Sequence, residues 1–184
     1  MFARTQRLLL RPGWREDARA LHAAVCDEGI VRNLARAPWP YALADAEDFL
    51  ARERGPYEVS NLIFLRGDGP PTLVGSIGFA PTEEGGIEFG YWISRAHWGR
   101  GIATEAGRAM IAHARDGLRL RRLEAGHFID NPASGRVLAK LGFTPTGATR
   151  GRYSAGRDAI APCREFALDL GEDVEAEDSC AMAA

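Results

Sequence analysis

Two glycines flanking an arginine, Gly99-Arg100-Gly101, carry the clearest chemical signal in this chain. They follow the apolar run Ile87 to Ile93, which reads as a β-strand, and lead into a helical pattern from Ala103 to Leu118. A strand feeding a glycine turn that opens a helix is a phosphate site in outline. Positions poor in side chain expose several backbone N–H groups, and the helix N-terminus adds its partial positive charge. The ligand such a turn favours carries a pyrophosphate.

The residues around the turn discriminate between pyrophosphate ligands. A nucleoside-triphosphate loop needs Lys and then Ser or Thr after its last glycine, and Ile102-Ala103 stand there instead. A dinucleotide turn needs a third glycine or alanine where Thr104 stands, and it belongs to a first βα unit. Glu124 does lie about twenty residues on, as a ribose-binding acid would, but inside a strand rather than at its end.

The elements that must position this turn are legible as periodicity. Arg7 to Arg11 is a short strand broken by Pro12-Gly13, and a helix opens at Glu16-Asp17. A rigid aromatic connection, Pro38-Trp39-Pro40-Tyr41, precedes a second helix expected over Asp45 to Arg54. Asn61–Arg66, Thr72–Ala80 and Ile87–Ile93 are joined by glycine-rich turns and predict an antiparallel meander. After the central helix come a strand, Arg122 to Phe128, and a short helix whose Asn131-Pro132 set a cap residue and a first-turn proline in their favoured order. Phe143 to Tyr153 and Pro162 to Leu170 close the pattern. The fold class is therefore mixed α/β: a twisted, mostly antiparallel sheet of six or seven strands with four helices, whose central parallel pair splays at the ligand site. One domain is expected over residues 1–170, followed by an acidic, disordered tail over 171–184.

Composition narrows the function classes. With 184 residues and a net charge of -2, the chain has core enough for one domain and no global basic field for nucleic acid. No apolar run approaches the roughly 20 residues of a membrane span, and the start lacks a leader's apolar stretch. Cys26, Cys163 and Cys180 stand in no paired spacing, which predicts a reducing, cytoplasmic setting with no disulfide framework and no metal site.

From Glu88 to Phe143 the chain resembles the GNAT-type N-acetyltransferases, which bind acetyl-CoA. The resemblance rests on Gly99-Arg100-Gly101-Ile102-Ala103 entering a helix, then Asn131-Pro132-Ala133-Ser134, then Lys140-Leu141-Gly142-Phe143. Glu88-Phe89-Gly90-Tyr91-Trp92-Ile93, the run Trp98 to Ala106, and Thr5 to Pro12 are similar to the ribosomal-protein alanine and serine acetyltransferases, the RimJ/RimL type. The resemblance implies that the thioester lies along Trp92, Ile93 and Ser94, whose backbone N–H groups bind its carbonyl oxygen and the pantetheine amides. It implies that Gly99, Arg100, Gly101, Ile102, Ala103 and Thr104 hold the pyrophosphate, with Arg100 adding charge-assisted bonds, and that Trp98 belongs to the cofactor site. The wider superfamily has Gln or Arg where Trp98 stands, so backbone must do that work here. Many members also carry a tyrosine where Leu138 stands, taken as the acid that protonates the departing thiolate.

Acetyl transfer to an amine requires a neutral nucleophile, a donor for the developing oxyanion and an easy exit for the thiolate. Strand alternation places Ile87, Phe89, Tyr91 and Ile93 on one face and Glu88, Gly90 and Trp92 on the other. Glu88 is the candidate base, directly or through water. Beside Trp92 at a closing cleft, its carboxyl is expected to be desolvated. It also serves as a candidate for binding the amine. Ser134 is the candidate acid in place of the missing tyrosine and a candidate cofactor contact, while Asn131 is expected to cap its helix and lie beside the pantetheine. Trp39 and Tyr41 are candidates for lining the acceptor pocket, with Tyr153 a candidate substrate contact or acid; each has ordinary packing as its alternative. His97 and His127 are expected to be a turn residue and a satisfied strand histidine, and Cys163 a buried thiol rather than a nucleophile.

The expected acceptor is a primary amine, foremost a protein N-terminal α-amine, attacked in a ternary complex. A small-molecule amine, or a CoA-binding module without turnover, remains the alternative. No nucleic-acid or membrane partner is expected, and the chain is expected to be a monomer or homodimer.

Overall fold

The computed structural model describes residues 1–171; apart from Gly171, the tail expected to be disordered lies outside the described residues. The strands are β1 (Ala3–Arg4), β2 (Leu8–Pro12), β3 (Val59–Leu65), β4 (Thr72–Pro81), β5 (Ile87–Ile93), β6 (Arg122–Phe128), β7 (Thr144–Ser154) and β8 (Ala159–Asp169). The helices are α1 (Ala18–Val25), α2 (Glu28–Val31), α3 (Leu43–Ala51), α4 (Ile102–Ala112) and α5 (Pro132–Lys140). The mixed α/β class and the meander hold. The described residues carry eight strands and five helices rather than six or seven and four. The additions are the two-residue β1 and the single turn α2, both too short to show a period in sequence.

Helix boundaries follow capping chemistry. Asp45, read as the start of a helix, sits inside the first turn of α3 and accepts the Ala42 N–H at 2.7 Å. The helix therefore begins earlier than expected, and it ends at Ala51 because Arg52 turns extended, with ψ 124°. Helix α4 continues beyond Ala112 as a π-turn, His113–Gly117, which completes the helical stretch read from Ala103 to Leu118.

The eight strands form one sheet in the order β1-β2-β3-β4-β5-β6-β8-β7. Only β5 and β6 run parallel, and their pairing reduces to one rung, Glu88 with Glu124. Beyond that rung the two strands diverge. Alternation along β3 explains the layers: Ile63 joins the core with α4 and α5, while Leu62 and Phe64 join the core with α1 to α3. The same alternation on β5 sends Phe89 and Tyr91 into the first core and Trp92 into the second. No helix among the described residues is long and apolar enough to cross a membrane.

Two local features set the middle of the sheet. On the β4–β5 rung Gly78–Gly90, a Cβ on Gly78 would lie 2.0 Å from the Val59 carbonyl oxygen, whereas one on Gly90 would meet nothing within 4 Å. Gly78 thus permits a close strand approach, and Gly90 keeps open space. At the edge of the sheet, Glu105 in the first turn of α4 accepts bonds from Thr5 Oγ1 (2.6 Å), the Arg7 N–H (2.9 Å) and Arg7 Nε (2.7 Å). These bonds tie the β1–β2 turn to the start of α4. Burial of Glu105 opposes ionisation, but the bonds from Thr5 and Arg7 outweigh it and hold the carboxyl below its ordinary range.

Gly78→Ala should lower unfolding free energy by about 1–3 kcal/mol, since a backbone oxygen must move, while Gly90→Ala should stay within about 0.5 kcal/mol; denaturant titration reads both. Glu105→Gln should cost about 1–3 kcal/mol near neutral pH. Because the folded-state pKa is depressed, this contribution is complete above the unfolded value of about 4.3 and disappears as pH falls through the folded value. Wild type and variant should therefore converge in stability on acidification.

Candidate active site

The divergence of β5 and β6 opens a cleft of about 450 Å³ between the two layers. At one end, Gly99 and Gly101 adopt left-handed φ of +73° and +74°. These values suit glycine, which has no Cβ to clash. Gly101 caps α4 with no side chain on its amides, so the first-turn N–H groups face the cleft mouth. A Cβ on Gly99 would meet nothing within 4 Å, which leaves an open cradle above the loop. Arg7 Nη1 donates to the Arg100 carbonyl at 3.0 Å, which engages that oxygen. Arg100 itself lines the cleft, and Arg136 and Lys140, one turn apart on α5, add cationic side chains to its wall.

The predicted binding residues largely converge. Trp92, Ile93, Trp98, Gly99, Arg100, Gly101, Ile102, Ala103, Thr104, Asn131 and Ser134 all line the cleft. Trp98 does so without a polar side-chain group directed at phosphate, because its indole Nε1 donates to the Ile93 carbonyl at 2.6 Å. Asn131 caps α5, its Oδ1 accepting the Ser134 N–H at a long 3.4 Å.

Ser94 departs from expectation. Its N–H donates to the Val74 carbonyl at 2.8 Å and its hydroxyl is 2.8 Å from His97 Nδ1, so both groups are engaged away from the opening. Trp92 shares the parity of Ser94 on the β4 rung, so its N–H also turns to β4. Of the three amides expected to meet the thioester, only that of Ile93 faces β6. Burial, with Arg100 adding repulsion, lowers the pKa of His97.

At the other end of the cleft, Glu88 is held in an ion pair that the sequence reading did not include. Arg152, from β7, donates to both of its oxygens, Nη2 reaching Oε2 at 2.6 Å and Nη1 bonding Oε1. The bonds to Glu88 raise the pKa of the Arg152 guanidinium further. Cys163 lies beside this pair, and burial pushes its thiol up despite Arg152, which fits the expected inert thiol. His127 is buried, with Nδ1 2.8 Å from the Phe128 carbonyl, as a satisfied histidine.

The proposed acceptor aromatics do not gather here. Tyr41 is a core residue packed among Leu21, Val25 and Ala46, its phenol pushed up to about 12 by burial and then by Asp45. Trp39 is exposed and lies outside the cleft lining. Tyr153 is also outside the lining; it is half exposed and its hydroxyl donates to Asp158 at 2.8 Å. Gly29, Ile30, Asn33, Leu34 and Ala35, from α2 and the segment after it, line the cleft instead. Arg157 clamps that segment, donating to the Arg32 carbonyl (2.6 Å), Asn33 Oδ1 (3.2 Å) and both oxygens of Asp130 (2.8 Å each). Ser154 adds a bond to the Leu34 carbonyl at 2.8 Å.

Tyr91 was assigned no role from sequence. It lines the cleft on the opposite face of β5 from Glu88, with its hydroxyl 2.9 Å from Ser134 Oγ. Its place in the FGYWI run gave a face but no partner. The i, i+4 spacing of Arg136 and Lys140 was a usable signal for a cationic helix face; Arg152 and Arg157 had none.

The chain matches the acetyltransferase (GNAT) domain family over residues 7–144. It is 38% identical over 81 residues to a Bacillus subtilis relative described as "Probable N-acetyltransferase YjcK", covering 42% of this chain and 45% of that protein. It is 30% identical over 122 residues to the ribosomal-protein-serine acetyltransferase of Escherichia coli, covering 61% of this chain and 65% of that one. The matched segments thus span about half to two thirds of these relatives. A RimL ribosomal-protein α-N-acetyltransferase solved in complex with coenzyme A superposes with a TM-score of 0.73 at 23% identity, over 92% of this chain and 98% of that one. The resemblance drawn from the motifs, including its RimJ/RimL leaning, is borne out. The splayed strand pair, the two-glycine loop and the matched residues agree, and the chain belongs to the GNAT acetyltransferase family.

Proposed function

We propose that this protein transfers the acetyl group of acetyl-CoA to a primary amine, foremost a protein N-terminal α-amine, by direct attack in a ternary complex. One observation carries this reading. The β5–β6 opening connects a backbone phosphate cradle at Gly99–Gly101 with a carboxylate, Glu88, through a single continuous cleft. The Escherichia coli relative is named a ribosomal-protein-serine acetyltransferase and the RimL neighbour an α-N-protein acetyltransferase in complex with coenzyme A, and both names support the same assignment.

In this reading the pyrophosphate sits on the Gly99–Thr104 amides, with Arg100 and Lys140 adding charge. The pantetheine amides extend the unpaired edge of β5, and the Ile93 N–H stabilises the oxyanion as the carbonyl becomes tetrahedral. Trp98 holds the Ile93 carbonyl, in the peptide that follows this N–H. The amine enters on the Glu88 face, and the sulfur departs on the Ser134 face, where the hydroxyl donates to it.

The Glu88–Arg152 pair bears on the acceptor. Arg152 uses one lone pair on each carboxylate oxygen, so a water or ammonium can still reach Glu88 through the others. A carboxylate already shared with a guanidinium suits an amine that arrives partly neutral. An α-amine, with pKa about 7.7–8.0, is roughly a quarter neutral near physiological pH, against about one part in a thousand for lysine.

Thiol release across a panel of α-amine peptides, lysine peptides and small amines, with mass detection of products, tests the assignment. Alanine- or serine-initiated peptides should be acetylated fastest. Stabilisation by coenzyme A without thiol release from any amine would reduce the protein to a binding module. Glu88→Gln should lower kcat at least about tenfold while leaving coenzyme A affinity near wild type, as read by steady-state kinetics and calorimetry.

A further inference from the structure

We propose that Tyr91 fixes the Ser134 hydroxyl as the hydrogen-bond donor to the departing thiolate, a positioning role that rests on the acetyl-transfer reading above. The Tyr91 hydroxyl lies 2.9 Å from Ser134 Oγ and 3.3 Å from the Ser134 carbonyl. It comes from β5, the strand that presents the Ile93 amide, and crosses the opening to the first turn of α5. Burial pushes the phenol up to about 12 against the opposing bond from Ser134, so Tyr91 keeps its proton across the working range. The 2.9 Å contact allows either hydroxyl to donate; in the proposed arrangement the neutral phenol donates into Ser134 Oγ rather than to the Ser134 carbonyl, which leaves the one serine proton pointing away from Tyr91, toward the cleft.

The rest of the wall shows why such a device is needed. Leu138, one turn further along α5, is 1% exposed and belongs to the apolar core, so the helix offers no hydroxyl there. Tyr153 is committed to Asp158 outside the cleft. A serine hydroxyl alone rotates freely and donates wherever an acceptor is nearest. Held by Tyr91, it is pre-oriented before charge develops, which is where a donor contributes most to rate.

The faces of β5 separate the two halves of the reaction. Glu88 projects beside Arg152 on the acceptor side, and Tyr91 on the α4–α5 side. As the nitrogen–carbon bond forms and the carbon–sulfur bond breaks, sulfur keeps the electron pair and is stabilised by the Ser134 O–H. The surplus proton on nitrogen leaves toward Glu88 or water, and the thiolate takes a proton from solvent on release. Tyr91 itself undergoes no net change.

The test is a double-mutant cycle of Tyr91→Phe, Ser134→Ala and the pair, with acetyl-CoA and a serine-initiated peptide. Calorimetry with coenzyme A and thermal melting control for binding and fold. Tyr91→Phe should lower kcat about tenfold with the KM for acetyl-CoA unchanged, and the pair should lose no more than Ser134→Ala alone. Additive losses would overturn the proposal, because Tyr91 would then act independently of Ser134. A slow Ser134→Ala beside a wild-type Tyr91→Phe would remove Tyr91 and leave the proposed leaving-group role of Ser134 standing. Full activity in Ser134→Ala would remove that role and the inference together. A Tyr91→Phe protein that loses coenzyme A binding along with turnover would assign Tyr91 to packing and overturn the proposal.

Discussion

The reduction of the β5–β6 ladder to one rung is the constraint on which the rest depends. A strand buried within a sheet normally pairs on both edges, because an unpaired backbone N–H away from water is costly. Here β5 is fully paired to β4 from Ile87 to Ile93 but opens toward β6 beyond Glu88. The exposed edge is a template for an extended chain bearing amides, which can complete the ladder as an added strand would. The same opening lets side chains from both faces of β5 address one point. A continuous parallel ladder would close the cleft and isolate Glu88 from Ser134.

The glycine loop proposed to cradle phosphate is built from backbone conformation and held by side chains far away in sequence. Left-handed φ at Gly99 and Gly101 turns successive amides to one side. Glu105 in the first turn of α4 favours the helix dipole but would repel a phosphate nearby. Arg7 resolves the conflict: it pairs with Glu105 at 2.7 Å and holds the Arg100 carbonyl at 3.0 Å. A cation from the β1–β2 turn thus neutralises the helix's own acid and orients the loop in one arrangement.

The end of the cleft proposed to take the acceptor is governed by paired rather than free charge. Arg152 with Glu88, and Arg157 with Asp130, Arg32 and Asn33, connect β7 and the β7–β8 turn to the strand opening and to the segment after α2. Arg157 also stacks over Phe128, 4.5 Å from its ring centroid. Its guanidinium bonds are therefore directed within a fixed plane, which suits Arg and not Lys. These pairs shape the cleft by holding loops in register, and they leave Glu88 in contact with a cation before any amine arrives.

The local chemistry of the chain determined much of this protein. Periodicity gave the meander, the α4 and α5 helices and the closing hairpin, because side-chain direction repeats with backbone conformation. Glycine placement located the left-handed turn before α4, since glycine tolerates that φ without strain, and Asn131-Pro132 marked the start of α5. Contacts between distant segments were decided only in three dimensions. Arg152 meets Glu88 across 64 residues, Tyr91 meets Ser134 across 43, and Arg157 meets the segment after α2 across more than 120. Tyr41 and Trp39, grouped in sequence by aromatic character, separated into core and surface for the same reason. Local rules state which face a residue occupies along its own strand or helix. Which other element that face meets follows from sheet order and from the burial of two apolar layers, and neither is encoded in any short window of sequence.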